Sequence, residues 1–259
     1  REKLKRGVHL AMSSENPAYV ILGAGGGIGS ATARLLAARG ARLVLGGRRP
    51  ENIRAITEEL NAFPVVLDAR RAEQVESCFE KACDEFGEIS GAVNCVGSLN
   101  LKPADRISQE EWDDCISTNL GSAFSTVRAA AKTMRCGGSV VLISSAAGEV
   151  GLANHEAIAS AKAGVIGLVR AAAATYASRG LRFNCVAPGM VRTKLTEAIT
   201  ESDLMLKSAT AMHPLGRIGD VEDVASAISF LLSSDQGWIT GEVLCVDGGL
   251  ANVRGRVRA

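Results

Sequence analysis

The chain has almost no surplus charge. Its 29 Lys and Arg stand against 28 Asp and Glu over 259 residues, a formal net charge of +1. Binding along nucleic acid or an acidic membrane surface needs a clustered basic excess, so neither partner is expected. The sequence also lacks an uninterrupted apolar run of the roughly 18 to 20 residues that a bilayer crossing requires, and a soluble protein is expected. No C-x-x-C pair occurs among the seven cysteines, Cys78, Cys83, Cys95, Cys115, Cys136, Cys185 and Cys245. This odd, unpatterned set reads as free thiols in a reducing compartment. The three histidines do not bracket those cysteines at ligand spacing, which argues against a zinc site. Pro/Ser linkers, low-complexity tracts and repeats are missing, and the six prolines fall in loops or at element ends. One large domain accounts for the whole chain. Tyrosine is scarce: only Tyr19 and Tyr176 occur.

The chain begins at Arg1 with a short basic stretch, 1–6, followed by the polar Ser13, Ser14, Glu15 and Asn16. That stretch reads either as the remnant of a removed organelle transit peptide or as an arbitrary boundary, so cytoplasm and organelle matrix or stroma both stand as compartments. The expected organisation is an N-terminal extension at 1–17, one domain at 18–250 and a tail at 251–259. Apolar runs at 19–22, 43–45, 65–67, 92–96, 140–143, 183–186 and 243–246 predict strands covered on both faces. Helical spacing between them predicts helices at 30–39, 51–61, 72–86, 109–134, 155–178 and 221–233. Strands alternating with helices imply right-handed crossovers, hence a Rossmann-type, doubly wound parallel α/β sheet of about seven strands.

The first strand runs into Gly23, Gly25, Gly26, Gly27, Ile28 and Gly29, and a helix opens at once. Glycines let the backbone turn sharply and approach a pyrophosphate, whose charge is held by free N–H groups at the helix start. The alternative is a tight strand-to-helix turn without ligand. The second strand follows at the expected distance of about 20 residues, which favours the dinucleotide reading. At its end a carboxylate would accept hydrogen bonds from both ribose hydroxyls of NAD and repel a 2′-phosphate. This chain instead reads Leu45-Gly46-Gly47-Arg48-Arg49. Guanidinium forks match phosphate oxygens, so NADP(H) is preferred, with NAD(H) still possible. Arg48 and Arg49 otherwise read as solvated loop charges. Asp68, at the end of the third strand, reads as a contact to the adenine edge or as a turn or helix cap.

With these positions in view, the chain resembles the short-chain dehydrogenase/reductase superfamily from about Ala18 to Leu250, particularly single-domain members similar to 3-oxoacyl-carrier-protein reductase. Gly23-x-x-x-Gly27-Ile28-Gly29 resembles the family's T-G-x-x-x-G-x-G turn, with Leu22 in place of the usual Thr. Asn94-Cys95-Val96-Gly97 resembles its N-N-A-G segment, with the second Asn lost. Asn119 resembles the helix Asn that orders a water beside the catalytic Lys, and Ile143-Ser144-Ser145 the strand that ends in the catalytic Ser. Asn184 to Gly189, followed by Thr193, resembles the segment flanking the nicotinamide, which implies cofactor roles for Pro188, Gly189 and Thr193. Thr240-Gly241 and Val246-Asp247-Gly248-Gly249 resemble the C-terminal strand.

The family's catalytic Y-x-x-x-K falls on Ile158-Ala159-Ser160-Ala161-Lys162. Isoleucine neither donates nor accepts a proton. In the usual reaction the tyrosine phenol protonates the oxygen as hydride reaches the carbonyl carbon, and the Lys ammonium lowers the phenol's pKa. Losing general acid catalysis removes about 10²- to 10⁴-fold in rate. Three readings follow. In the first, His155 and Ser145 stabilise an oxyanion, because His155 precedes Lys162 by the spacing at which related enoyl reductases carry their tyrosine. Hydride addition to a conjugated C=C needs only enolate stabilisation. His155 also reads as a partly exposed helix-start residue. In the second, the chain is a catalytically impaired nucleotide-binding subunit or sensor in a larger assembly. In the third it is a scaffold, which Ser145, Lys162, Asn119 and Thr193 disfavour; Lys162 also serves the cofactor ribose. Met190, Met205, Met212, Leu195, Leu204 and Leu206 lie where the family keeps its substrate lid, and they line an acyl pocket or pack in the core. The resemblance implies a four-helix interface between subunits, hence a homodimer or homotetramer.

Overall fold

The computed structural model describes residues 16–254. The basic stretch 1–6, almost all of the 1–17 extension and the last residues of the tail lie outside the described residues. The chain runs β1 (Ala18–Leu22), α1 (Gly27–Ala37), β2 (Arg42–Gly47), α2 (Pro50–Leu60), β3 (Phe63–Val66), α3 (Ala72–Phe86), β4 (Gly91–Asn94) and α4 (Gln109–Ile116). It continues through α5 (Ser122–Thr133), β5 (Gly138–Ile143), α6 (Glu156–Tyr176), β6 (Leu181–Pro188), α7 (Glu197–Thr200), α8 (Asp203–Met212), α9 (Val221–Leu232) and β7 (Val243–Val246). The strands form one seven-stranded sheet in the order β3-β2-β1-β4-β5-β6-β7. Every pairing in it is parallel.

Strand side chains alternate between the faces, and each face meets helices. Val20, Leu22, Val140, Leu142 and Phe183 pack with α3, α5 and α6 through Phe79, Val127 and Val169. Tyr19, Ile21, Leu45, Val93 and Val141 pack with α1, α2 and α9 through Leu36, Ile56, Ile228 and Leu231. This double coverage explains why the strands read as continuous apolar runs. The strand order reverses between β1 and β4, where a crevice opens beyond the strand ends and ligands of such sheets lodge.

Four helices differ from expectation. The helix expected at 109–134 is interrupted at Ser117–Gly121, where the Ser122 N–H reaches back five residues to the Ser117 carbonyl in a π-helical turn. Helix α1 starts at Gly27, earlier than expected, because its first turn is built from glycines that propensity alone does not assign to a helix. Helices α7 and α8 were not expected at all. Among α8 residues only Ala209 is buried, so no apolar stripe marks it in the sequence. The stretch Glu156–Arg179 is long and apolar enough, by length and composition, to cross a membrane. Here Ala157, Ala161, Val165, Val169 and Ala173 bury its inner face in the protein core.

Candidate active site

The glycine turn is held by tight backbone geometry. Gly23 takes φ +77°, and its N–H and that of Ala24 both donate to the Gly46 carbonyl, at 2.8 and 3.1 Å. A side chain at Gly29 would run into the Gly23 carbonyl oxygen, and one at Gly25 into the backbone of Asn52. Helix α1 begins with no side-chain cap and no acidic residue in its first turn, which leaves its amide end suited to an anion.

Two adjoining hollows open from this turn. The smaller, about 220 Å³, is walled by Gly23, Gly25, Gly47, Arg48, Arg49, Asp68, Arg70 and Gly97 among others. Arg48 and Arg49 are exposed at the end of β2. Asp68 is bound by Arg70, whose guanidinium beside it holds the carboxyl below the usual carboxylate range; burial opposes this, and the charge of Arg48 adds to it. Arg70 was not singled out in the sequence. Its one local signal is a charge two residues past Asp68, and its second partner, Asp114, is distant in the chain.

The larger cavity, about 1080 Å³, holds Gly27, Ile28, Gly29, Gly97, Asn119, Ser145, His155, Ile158, Lys162, Pro188, Gly189 and Thr193 on its walls. Lys162 is buried, with Nζ donating to the Ile143 carbonyl at 2.9 Å. Burial lowers its ammonium pKa to about 8, against the opposing pull of the thiols of Cys185, Cys115 and Cys95. None of the groups acting on it is a carboxylate. Ser145 Oγ accepts the Ala147 N–H at 3.2 Å, and its neighbour Ser144 is spent on the Lys162 carbonyl at 2.8 Å. A Cβ at Gly97 would sit 3.1 Å from Asn119 Oδ1 and 3.7 Å from Lys162 Nζ, so the glycine lets both polar groups converge there. Ile158, only 3% exposed, packs with Cys115, Ala157 and Ala161 and presents hydrocarbon one helical turn before Lys162.

Several expected residues behave differently. Asn94 does not line either hollow: its Nδ2 donates to Ser122 Oγ and Thr126 Oγ1 at 3.1 Å, and its Oδ1 accepts the Val96 N–H at 2.8 Å. Its amide ties β4 to α5. Asn119 occupies the π-helical turn, where Nδ2 donates to the Cys115 carbonyl and Ser98 Oγ and Oδ1 accepts the Ser98 N–H. His155 is the N-cap residue of α6, with φ −113° and ψ 14°, and both it and Lys162 line the larger cavity. Its Nδ1 lies 2.7 Å from the Ala153 carbonyl and must donate to it, so Nε2 can donate only when the ring is cationic.

His213, also unforeseen, is a buried lining residue. Its Nδ1–H donates to the Ala209 carbonyl at 2.7 Å and its Nε2 accepts the Met190 N–H at 3.1 Å, which joins α8 to the loop after Pro188. Leu195, Met205 and Met212 line the cavity while remaining exposed. All seven cysteines are free thiols.

A family model described as enoyl-(acyl carrier protein) reductase matches residues 23–251. The 3-oxoacyl-[acyl-carrier-protein] reductase FabG of Escherichia coli (strain K12) is 37% identical over 243 residues, 92% of this chain and 99% of that protein. Among solved structures, a short-chain type dehydrogenase/reductase from Mycobacterium ulcerans matches with TM-score 0.89 and 31% identity, over 94% of this chain and 93% of that one. The chain is a member of the short-chain dehydrogenase/reductase family. ElxO with NADP bound, and a Tyr-to-Phe variant of ElxO with NADPH bound, each match at TM-score 0.85 and 30% identity, over 91% of this chain and 98% of theirs. The larger cavity brings together the buried Lys162, the Ser145 hydroxyl and the aliphatic Ile158.

Proposed function

We propose that this chain is an NADP(H)-preferring oxidoreductase of altered chemistry, able also to take NAD(H), that reduces a carbonyl or a conjugated C=C of a small or acyl-type substrate without a tyrosine acid. The observation that carries this reading is the continuity of the cleft. It runs from the guanidiniums of Arg48 and Arg49, past glycines that admit no side chain, to the buried ammonium of Lys162. ElxO, a neighbour at 30% identity, is described with NADP and with NADPH bound, which supports the same cofactor class.

When bound, the dinucleotide supplies a hydride from the nicotinamide C4. The chain's own groups then serve the electron pair that moves onto the substrate oxygen. Ser145 offers its hydroxyl proton to that oxygen, and the Lys162 ammonium sets a positive charge in a dry pocket where it counts for more than in water. Ile158 supplies no proton. An enolate needs none at oxygen and can be protonated later at carbon by water, so a conjugated thioester suits this site better than a simple ketone. His155 contributes through Nε2 only as the imidazolium. The half-exposed Met205, Met212 and Leu195 fit an acyl chain entering beneath α8.

A second reading, a nucleotide-binding subunit without turnover, is favoured by two observations. Ile158 is well packed where a proton donor is expected, and both N–H groups of the Asn119 amide are used inside the fold. Assembly as a homodimer or homotetramer through α4, α5 and α6 fits the exposed Trp112 and Phe124 on the first two of these helices. Titrating NADPH and NADH by fluorescence tests the cofactor reading; failure of both to bind at millimolar concentration overturns it. NADPH oxidation with enoyl-thioester, 3-oxoacyl and quinone substrates then separates enzyme from subunit.

A further inference from the structure

The smaller hollow is lined by three guanidiniums, Arg48, Arg49 and Arg70, and by one carboxylate, Asp68. A bare carboxylate there would work against a ligand carrying a 2′-phosphate. It is not bare. Arg70 Nε lies 3.0 Å from both Asp68 oxygens, Nη2 lies 2.6 Å from Oδ2, and the Arg70 backbone N–H donates to Oδ1 at 3.1 Å. The third guanidinium nitrogen, Nη1, donates to Asp114 Oδ1 at 3.0 Å. Asp114 belongs to α4, so the guanidinium is clamped between the loop after β3 and a helix from elsewhere in the chain.

We propose that Arg70 is a specificity-determining residue that cancels the Asp68 charge, so that this end of the cleft accepts a 2′-phosphorylated adenosine. This rests on the NADP(H) reading above and adds to it a residue and a cause. The ion pair keeps Asp68 ionised yet electrically compensated. Arg48 and Arg49, exposed just past the end of β2, are the other two cationic side chains that line this hollow.

The test is fluorescence titration of the full chain and its variants with NADPH, NADH and adenosine 2′,5′-bisphosphate. Arg70→Ala is expected to weaken NADPH and the bisphosphate about tenfold, because one uncompensated charge at this end of the cleft acts mainly on the nearby 2′-phosphate that NADH lacks, the more distant pyrophosphate being largely screened. NADH should change less than about threefold. Adding Asp68→Asn to Arg70→Ala should restore most of the lost NADPH affinity, a rescue that a purely structural role would not give. Equal weakening of NADPH and NADH, no weakening, or no rescue by the second change in a chain with unaltered circular dichroism would each overturn the proposal. Wild-type chain that binds neither dinucleotide would instead overturn the cofactor reading beneath it, so the two failures are distinct.

Discussion

Ile158 and Lys162 stand one helical turn apart on α6, both on the wall of the same cavity, one presenting hydrocarbon and the other a buried cation. That pairing leaves a charge poised to stabilise an oxyanion beside a position with no proton to give. Replacing Ile158 with Tyr should therefore add the missing acid next to an ammonium that lowers its pKa. NADPH-dependent reduction of a 3-oxoacyl thioester is expected to rise by about 10²-fold or more. The extra ring atoms lie against Cys115 and Ala161, so a melting temperature lower by a few degrees should accompany the gain. An unchanged rate in a folded Ile158→Tyr chain would show that the remaining groups are not arranged for carbonyl chemistry.

The Lys162 ammonium fixes the sign of two pH effects. Its pKa is about 8 in the folded chain and about 10.4 when unfolded. Between those values the unfolded chain binds the additional proton, so this group makes stability rise with pH across that window, by on the order of 3 kcal/mol in all. The positive charge available to a substrate oxygen is lost over the same rise. Activity should thus fall above about pH 8 while the protein becomes harder to melt. Lys162→Met should be the more stable chain below pH 8 and lose the difference by pH 10, with weaker NADPH binding throughout. Thermal melts of both chains from pH 7 to 10 measure it.

The motif around Asn94 suggests a ligand contact, and its amide is hydrogen-bonded within the fold. Asn94→Ala removes two buried and one partly buried hydrogen bond and leaves the Val96 N–H without its acceptor. A loss of about 3 kcal/mol in unfolding free energy is expected. NADPH affinity, measured well below the transition, should stay within about threefold of wild type. A tenfold loss of affinity at full folding would return Asn94 to the ligand.

What the sequence discloses and what it conceals divide along physical lines. Strands such as β1 and β5 are legible because burial on both faces forces continuous apolar runs, and the glycine turn is legible because steric need dictates residue type at Gly23 and Gly29. Helix α8 is illegible because its contacts are few and its apolar side chains, Leu204 and Met205 among them, face outward. Arg70 is illegible as a clamp because Asp114 is brought to it only by the fold. The π-helical turn at Asn119 lies inside a run whose apolar spacing stays helical, and it is the backbone bond from Ser122 back to Ser117 that marks the distortion.

His213 supplies the last prediction, because one ring joins two segments that have little else in common. Its Nε2 accepts the Met190 N–H beside the cofactor end of the cavity, and its Nδ1–H holds the Ala209 carbonyl of α8. His213→Leu keeps the bulk and breaks both bonds, leaving the partly buried Met190 N–H unsatisfied at a cost of about 1–3 kcal/mol. Because α8 buries so little apolar surface, the loss should appear locally, as faster proteolytic cutting within residues 195–212, before it appears as global unfolding. The KM for a long-chain acyl thioester should rise several-fold while that for a short-chain one changes little, since only the long chain reaches Met205 and Met212. His213→Gln, which retains an acceptor for Met190, should recover part of both effects. If His213→Leu is cut no faster than wild type and handles both chain lengths alike, α8 is held by contacts other than this ring.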